Sequence, residues 1–296
     1  LNSGNEKRKK EHRMSGHHKN FLIRNIAVAI DCSPHSMASL AAAAELARTM
    51  KAELTGIFVE DINILRMAEL PFTREIRVYT PEPEKMDPSR LERSLKLQAR
   101  EAEEALERIA GQFMIRHSFR VCRGMVPAEV VSASGEADLL VLGRSGRSHR
   151  CRKGLGSTVR CALAASTRNI LIMQTGFTPE EESVIVLYDG SEASKSALGI
   201  AREFLRTGNT LHILIMPGSE EEIKTMEQEL SEFLPADMLR VEYHLLPPAM
   251  NDSKVLARYI HMAGSGILVL SDRMAIPPET VHKLIAEIDY PVLLLR

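Results

Sequence analysis

An α/β fold, with a mainly parallel sheet covered on both faces and present in two tandem copies, is what this sequence predicts. Three observations predict it. Short, continuously apolar runs alternate with helix-periodic segments, the pattern of parallel strands buried on both faces. The same pieces then return in the same order: 25–33 as 183–191, 137–143 as 264–271, and 168–173 as 290–295. Finally, a strand at 138–143 feeds a glycine-rich loop that opens a helix, a strand–loop–helix unit typical of such sheets.

In the first copy the apolar runs place strands near 25–30, 53–59, 118–123, 138–143 and 169–173. Helices are expected near 35–49, 88–111, 126–135 and 157–166. Asp87 followed by Pro88 marks a helix start, a capping carboxylate before a proline in the first turn. Val126-Pro127 opens the third helix in the same way. In the second copy, strands are expected near 183–188, 210–216, 240–246, 266–271 and 291–295. The domains are therefore set at 22–174 and 183–296, joined by a turn-rich linker at 175–182. The stretch 61–87, with Pro71, Pro81 and Pro83, has no counterpart of similar length in the second copy. It leaves the end of the second strand, where ligands of open α/β sheets bind, and reads equally as a lid or as a surface loop.

Composition bounds the function. The 296 residues are 44% hydrophobic and 26% charged, with a formal net charge of −1. That is the profile of a soluble globular protein with room for two cores. Neither nucleic acid nor a membrane surface is indicated as main partner, and no apolar run is long enough to span a bilayer. Residues 1–21 lie outside the repeat and are polar and basic, with Lys7, Arg8, Lys9 and Lys10 in a row. They lack the apolar core of a secretory signal and read as a solvated, disordered tail, the other reading being a basic arm. Met14 is an alternative natural start. The four cysteines, Cys32, Cys122, Cys151 and Cys161, fit no zinc spacing. They read as reduced thiols of a cytoplasmic protein, and no metal site is expected from the scattered histidines.

The residues that bear on chemistry lie in the loop. Gly143, Arg144 and Gly146 are followed, after nine residues, by Gly156, Ser157 and Thr158. Glycines let backbone N–H groups approach an anion, and a helix N-terminus adds positive potential. Arg144, Arg147, Arg150, Arg152 and Lys153 make phosphate the expected ligand, with one or two of them reaching it. The hydroxyls of Ser157 and Thr158 can both cap the helix and donate to phosphate. Asp31 and Ser33 end the first strand on the same sheet edge. A carboxylate there can accept from a ribose or an adenine amine, or it can cap the following helix.

This spacing, Gly-x2-Gly-x9-Gly-(Ser/Thr), with an aspartate-ended first strand upstream, resembles the nucleotide loop of the universal stress protein family. The resemblance covers residues 22–296 as two copies. It implies a doubly wound order for each five-stranded sheet, as in adenine nucleotide α-hydrolase-like folds. It also implies ATP as ligand, with or without Mg2+, Asp31 on the nucleoside, and the backbone of Val59 at the adenine edge. The cofactor-binding set is then Asp31, Ser33, Val59, Gly143, Arg144, Gly146, Arg147, Gly156, Ser157 and Thr158. By the same resemblance, the strands at 169–173 and 291–295 should pair within one chain. The resulting pseudo-dimer can dimerise again and present its nucleotide state to a protein partner.

The second copy departs from the motif. Ser271 and Met274 stand where Gly143 and Gly146 stand, and Pro278-Glu279 where Gly156-Ser157 stand. Met274 to Pro278 spans four positions where Gly146 to Gly156 spans ten, and Glu279 brings negative charge. The nucleotide is therefore expected in the first domain only. The chain contains no G-x-S-x-G, no H-E-x-x-H and no Gly-x4-Gly-Lys-Ser/Thr motif, so no catalytic residues are assigned. A regulatory ATP binder with slow or no hydrolysis is the leading reading. The alternatives are an ATP-cleaving enzyme of the same superfamily and a nucleotide-free scaffold.

Overall fold

The computed structural model of the chain describes residues 23–77, 80–146, 154–175, 183–205, 208–234 and 240–296. The N-terminal tail, most of the linker and loop residues 147–153, which include Arg147, lie outside the described residues.

From the N-terminus the elements are β1 (Asn25–Ala29), α1 (Pro34–Met50), β2 (Glu53–Asp61), α2 (Ile62–Glu69), β3 (Arg74–Arg77), β4 (Thr80–Lys85) and α3 (Pro88–Phe113). Then come β5 (His117–Gly124), α4 (Val126–Ala133), β6 (Leu139–Gly143), α5 (Ser157–Ala165) and β7 (Asn169–Met173). The second half is β8 (Ser183–Tyr188), α6 (Glu192–Phe204), β9 (Thr210–Ile215), α7 (Glu220–Phe233), β10 (Arg240–Leu245), α8 (Ser253–Ala263), β11 (Gly266–Ser271), α9 (Pro278–Glu287) and β12 (Val292–Leu295).

Ten strands form one sheet in the order β10-β9-β8-β11-β12-β7-β6-β1-β2-β5. Read outward from the centre, each half has the same doubly wound order, with its first strand third. Neighbours within a half are parallel. At the centre β7 and β12 run antiparallel, Ile170, Leu171 and Ile172 opposite Leu294, Leu293 and Val292. These strands are apolar on both sides, and pairing removes two edges that would otherwise be open to other chains.

Alternation sorts the strand side chains into two core layers. Leu171, Met173, Leu293 and Leu295 face one layer, with α1, α3 and α6. Ile170, Ile172, Val292 and Leu294 face the other, with α5, α8 and α9. Both layers run unbroken through the two halves, so the joint is core rather than a wetted seam. Each buried aliphatic side chain contributes about 1.5–3 kcal/mol to that burial.

Two arginines close the joint reciprocally. Arg144, just past β6, is 8% exposed. Its guanidinium donates to the carbonyls of Ile285 (3.2 Å) and Ala286 (2.9 Å) at the end of α9. Arg296, just past β12, donates to the carbonyls of Ser166 and Leu163 at the end of α5. The last carbonyls of a helix have no partner within it, and a cation there also meets the negative end of the dipole.

The stretch 61–87 holds the end of β2, a short helix and a hairpin. β2 continues two residues past Val59, because Glu60 and Asp61 still pair with Arg123 and Gly124 of β5. Asp61 then caps α2 by accepting from the Asn63 N–H (2.9 Å), and β3 and β4 form an antiparallel hairpin. Prolines are tolerated in β4 because both strands of a two-stranded ribbon are edges. Asp87 caps α3 with Pro88 in the first turn, as the sequence indicates.

Candidate functional site

The carboxyl ends of β1 and β6, adjacent in the sheet, carry the motif residues. β1 leads into a tight turn. Asp31 Oδ1 accepts from the Ser33 N–H (2.9 Å), Cys32 is left-handed at φ 60°, and the Asp31 N–H donates to Ser36 Oγ (3.3 Å). The other carboxylate oxygen, Oδ2, faces the glycine loop. A Cβ added at Gly146 would lie 3.0 Å from it.

The three motif glycines are points of close approach. A Cβ at Gly143 would press on the backbone carbon of His35, in the first turn of α1, at 3.0 Å. At Gly156 it would lie 3.3 Å from the Arg144 carbonyl, to which the Gly156 N–H donates (2.9 Å). Gly156 thus lies against the backbone of Arg144 and Ser145, next to Gly146 and Asp31. Gly156 is the N-cap of α5, and among the described residues no side chain caps this helix. The N–H groups of its first turn, starting with the exposed Ser157 and half-buried Thr158, are left for an external acceptor.

Val59 lies on the neighbouring β2. A strand presents its backbone groups alternately to its two neighbours. Ile57 accepts from the Ile30 N–H (2.9 Å) on the β1 side. Val59, two residues on, therefore turns its own N–H and C=O to that side, where β1 has already ended. Asp31, Val59, Gly146, Gly156, Ser157 and Thr158 are thereby brought to one sheet edge.

Two of the expected site residues are engaged elsewhere. Ser33 is 3% exposed, and its Oγ accepts from the Ser36 N–H (3.2 Å) as cap of α1. Its hydroxyl is spent on the turn that aims Asp31. The Arg144 side chain runs to the end of α9, while the residue's backbone N–H donates to the Met173 carbonyl (2.9 Å). It belongs to the joint between the halves rather than to the open side of the loop. Burial pushes its guanidinium below the ordinary range, with Asp289 opposing, and it stays charged at neutral pH. Gly143 acts from beneath, by letting β6 meet α1. Sequence reasoning passed over His35, whose Nδ1 is buried without a partner beside Gly143. A histidine in a helix's first turn gives no signal of its own.

The second half fills the same place with itself. Asp189 corresponds to Asp31, and Gly190, at φ 77°, to Cys32. Asp189 Oδ1 accepts from the Ser191 N–H (3.1 Å) and hydroxyl (2.5 Å), and Oδ2 accepts from the Ala275 N–H (2.6 Å). Burial alone would push this carboxyl up, but the hydrogen bonds from Ser191, Ala275 and Ser194 outweigh it and hold it below the usual range. Met274 and Ile276, at 6% and 3% exposure, pack into the core. The short loop therefore closes over Asp189 Oδ2.

Among the described residues no helix is long and apolar enough to cross a membrane, and Cys122 and Cys161 are free thiols.

The sequence model of the universal stress protein family matches residues 22–173. Among solved structures, a universal stress protein from Archaeoglobus fulgidus is similar over 92% of this chain and 98% of its own, at 18% identity and a TM-score of 0.63. A Pseudomonas aeruginosa protein described as a candidate universal stress protein covers 93% of this chain and 94% of its own, at 14% identity and a TM-score of 0.57. These likenesses are of fold and extend over both halves. None of the curated proteins matches the chain.

Proposed function

The chain belongs to the universal stress protein family, and from that premise we propose that it is an ATP-binding regulatory protein with its nucleotide in the first domain, residues 22–174, only. The observation that carries the reading is the contrast between two equivalent aspartates. Asp31 Oδ2 faces Gly146 and a helix start with no side-chain cap. Asp189 Oδ2 is closed by the Ala275 N–H under a shortened, apolar loop. In this reading Asp31 accepts from the ribose, the backbone of Val59 meets the adenine edge, and the amides of Gly146, Ser157 and Thr158 hold the phosphates.

The arrangement supports binding more than turnover. Phosphoryl transfer needs a positioned water and groups that meet charge developing in the transition state. Backbone donors at a helix start stabilise bound phosphate in the ground state as well, which tightens binding without accelerating chemistry. Occupancy of the loop would then alter the surface or assembly that a protein partner reads, and Mg2+ would enter with the phosphates.

Calorimetric titration with ATP and Mg2+ tests this, with the nucleotide analysed afterwards. The expected result is one ATP per chain, recovered intact. A stoichiometry near two, or no binding, would overturn the proposal. Turnover of about 1 per second or faster would move the protein to the enzyme class.

A further inference from the structure

At the far edge of the second half, three side chains that no motif groups together converge. β9 and β10 are parallel neighbours with His212 opposite Glu242 and Leu214 opposite His244. Alternation puts His212, Glu242 and His244 on one face of the sheet, the face of Leu214 and the α8 core. His212 Nδ1 stands 3.1 Å from His244 Nε2 and 3.4 Å from Glu242 Oε2. All three ligand-type atoms lie within 4.8 Å of one another.

We propose that His212, Glu242 and His244 form a mononuclear binding site for a divalent transition cation of the zinc type. Two imidazoles and one carboxylate are a donor set that zinc takes at about 2.0–2.2 Å, and donors sharing one ion at 90–110° stand roughly 2.9–3.5 Å apart. The two measured separations fall in that interval. Without a cation a single proton joins the two imidazole nitrogens, and the exposed Glu242 carboxylate is left to solvent. A cation satisfies all three at once.

The surroundings suit the assignment. His212 is 6% exposed, and its Nε2 is turned towards the end of α8, 3.5 Å from where a Gly264 side chain would begin. The ring is thus fixed with Nδ1 aimed outward. Glu242 is 61% exposed, so the remaining coordination position opens to solvent, leaving room for water or for a ligand from another molecule. The site lies five strand spacings from β6, about 24 Å, and is independent of the nucleotide reading. Bound metal would clamp β10, the outermost strand, onto β9.

The test is titration of the chelator-treated full chain with Zn(II), alongside Co(II) as a spectroscopic probe. The parent should take up one Zn(II) lost on Glu242→Gln or His244→Gln, each weakening it at least tenfold. Co(II) should show visible ligand-field bands in the parent that both variants lose. Zinc should raise the parent's melting temperature, by roughly 3 °C or more at a hundredfold excess over Kd, and leave the variants unmoved. Melting of the variants in chelator at the parent's temperature verifies that they fold. Absence of zinc uptake would overturn the proposal, leaving a hydrogen-bonded histidine pair. Uptake indifferent to both substitutions would also overturn it, by assigning the metal to other residues such as the N-terminal histidines.

Discussion

Asp31 and Asp189 share a turn yet meet opposite environments, and the difference between them is testable one residue at a time. A side chain at Gly146 would occupy the space in front of Asp31 Oδ2. Gly146→Val is expected to abolish ATP binding while leaving the circular dichroism spectrum and melting temperature near those of the parent, since the loop is at the surface. Retained affinity would remove the phosphate assignment. Asp189→Ala should destabilise the fold by about 1–3 kcal/mol at neutral pH, through loss of the charge-assisted hydrogen bonds that its carboxylate accepts from Ser191 and Ala275. The carboxyl of Asp189 is held below its unfolded value near 4. Its contribution is therefore present above about pH 4 and lost as pH falls through the folded value. Denaturant midpoints of parent and variant should converge on acidification, and a gap that stays constant with pH would contradict the hydrogen-bonding account.

Among the elements, α3 shows how much of the chain follows from local rules and where it departs from them. Asp87 caps it through the Ser89 N–H (3.0 Å), and its buried Leu95, Ala99, Ala102, Leu106 and Ala110 recur at helical spacing. Its C-cap is less favourable. Met114 is left-handed at φ 53° and 92% exposed. A side chain in that conformation costs roughly 1–2 kcal/mol that glycine avoids. Met114→Gly is expected to stabilise the protein by about 1 kcal/mol, seen as a higher urea midpoint with an unchanged slope. A lower midpoint would show that the methionine packs usefully in spite of its exposure.

At the scale of the whole molecule the two halves form one sheet, and the arginines at its centre are part of what makes it one. Removing Arg144 would leave the carbonyls of Ile285 and Ala286 without their charged donor, at a cost of about 1.5–3 kcal/mol. Arg144→Ala should lower stability by that order. It should also weaken ATP binding by much less than Gly146→Val does, because the guanidinium points across the joint. A loss of affinity equal to that of Gly146→Val would return Arg144 to the phosphate site.

Strand and helix periodicity, the Asp87-Pro88 start and the ten-residue span from Gly146 to Gly156 were readable because they are local. Each depends on spacing along the chain, and a parallel strand buried on both faces has few other ways to look. Local pattern did not mark the short helix and the two-stranded hairpin within 61–87, a stretch it read as a lid or a surface loop. What tertiary structure alone decided is where side chains went after the backbone was set. Arg144 looks like a phosphate ligand in sequence and becomes a helix-end donor because α9 of the other half stops beside it. Ser33 looks like a ligand in sequence, and its Oγ also caps α1 by accepting from the Ser36 N–H. His212 stands thirty-two positions from His244, and only the parallel register of β9 and β10 puts them on one face. The sequence by itself determined the class of fold, the repeat and the loop that suits an anion, all written in short-range patterns. The joint, the closure over Asp189 and the His–Glu–His cluster depend on contacts between distant segments, which no local pattern encodes.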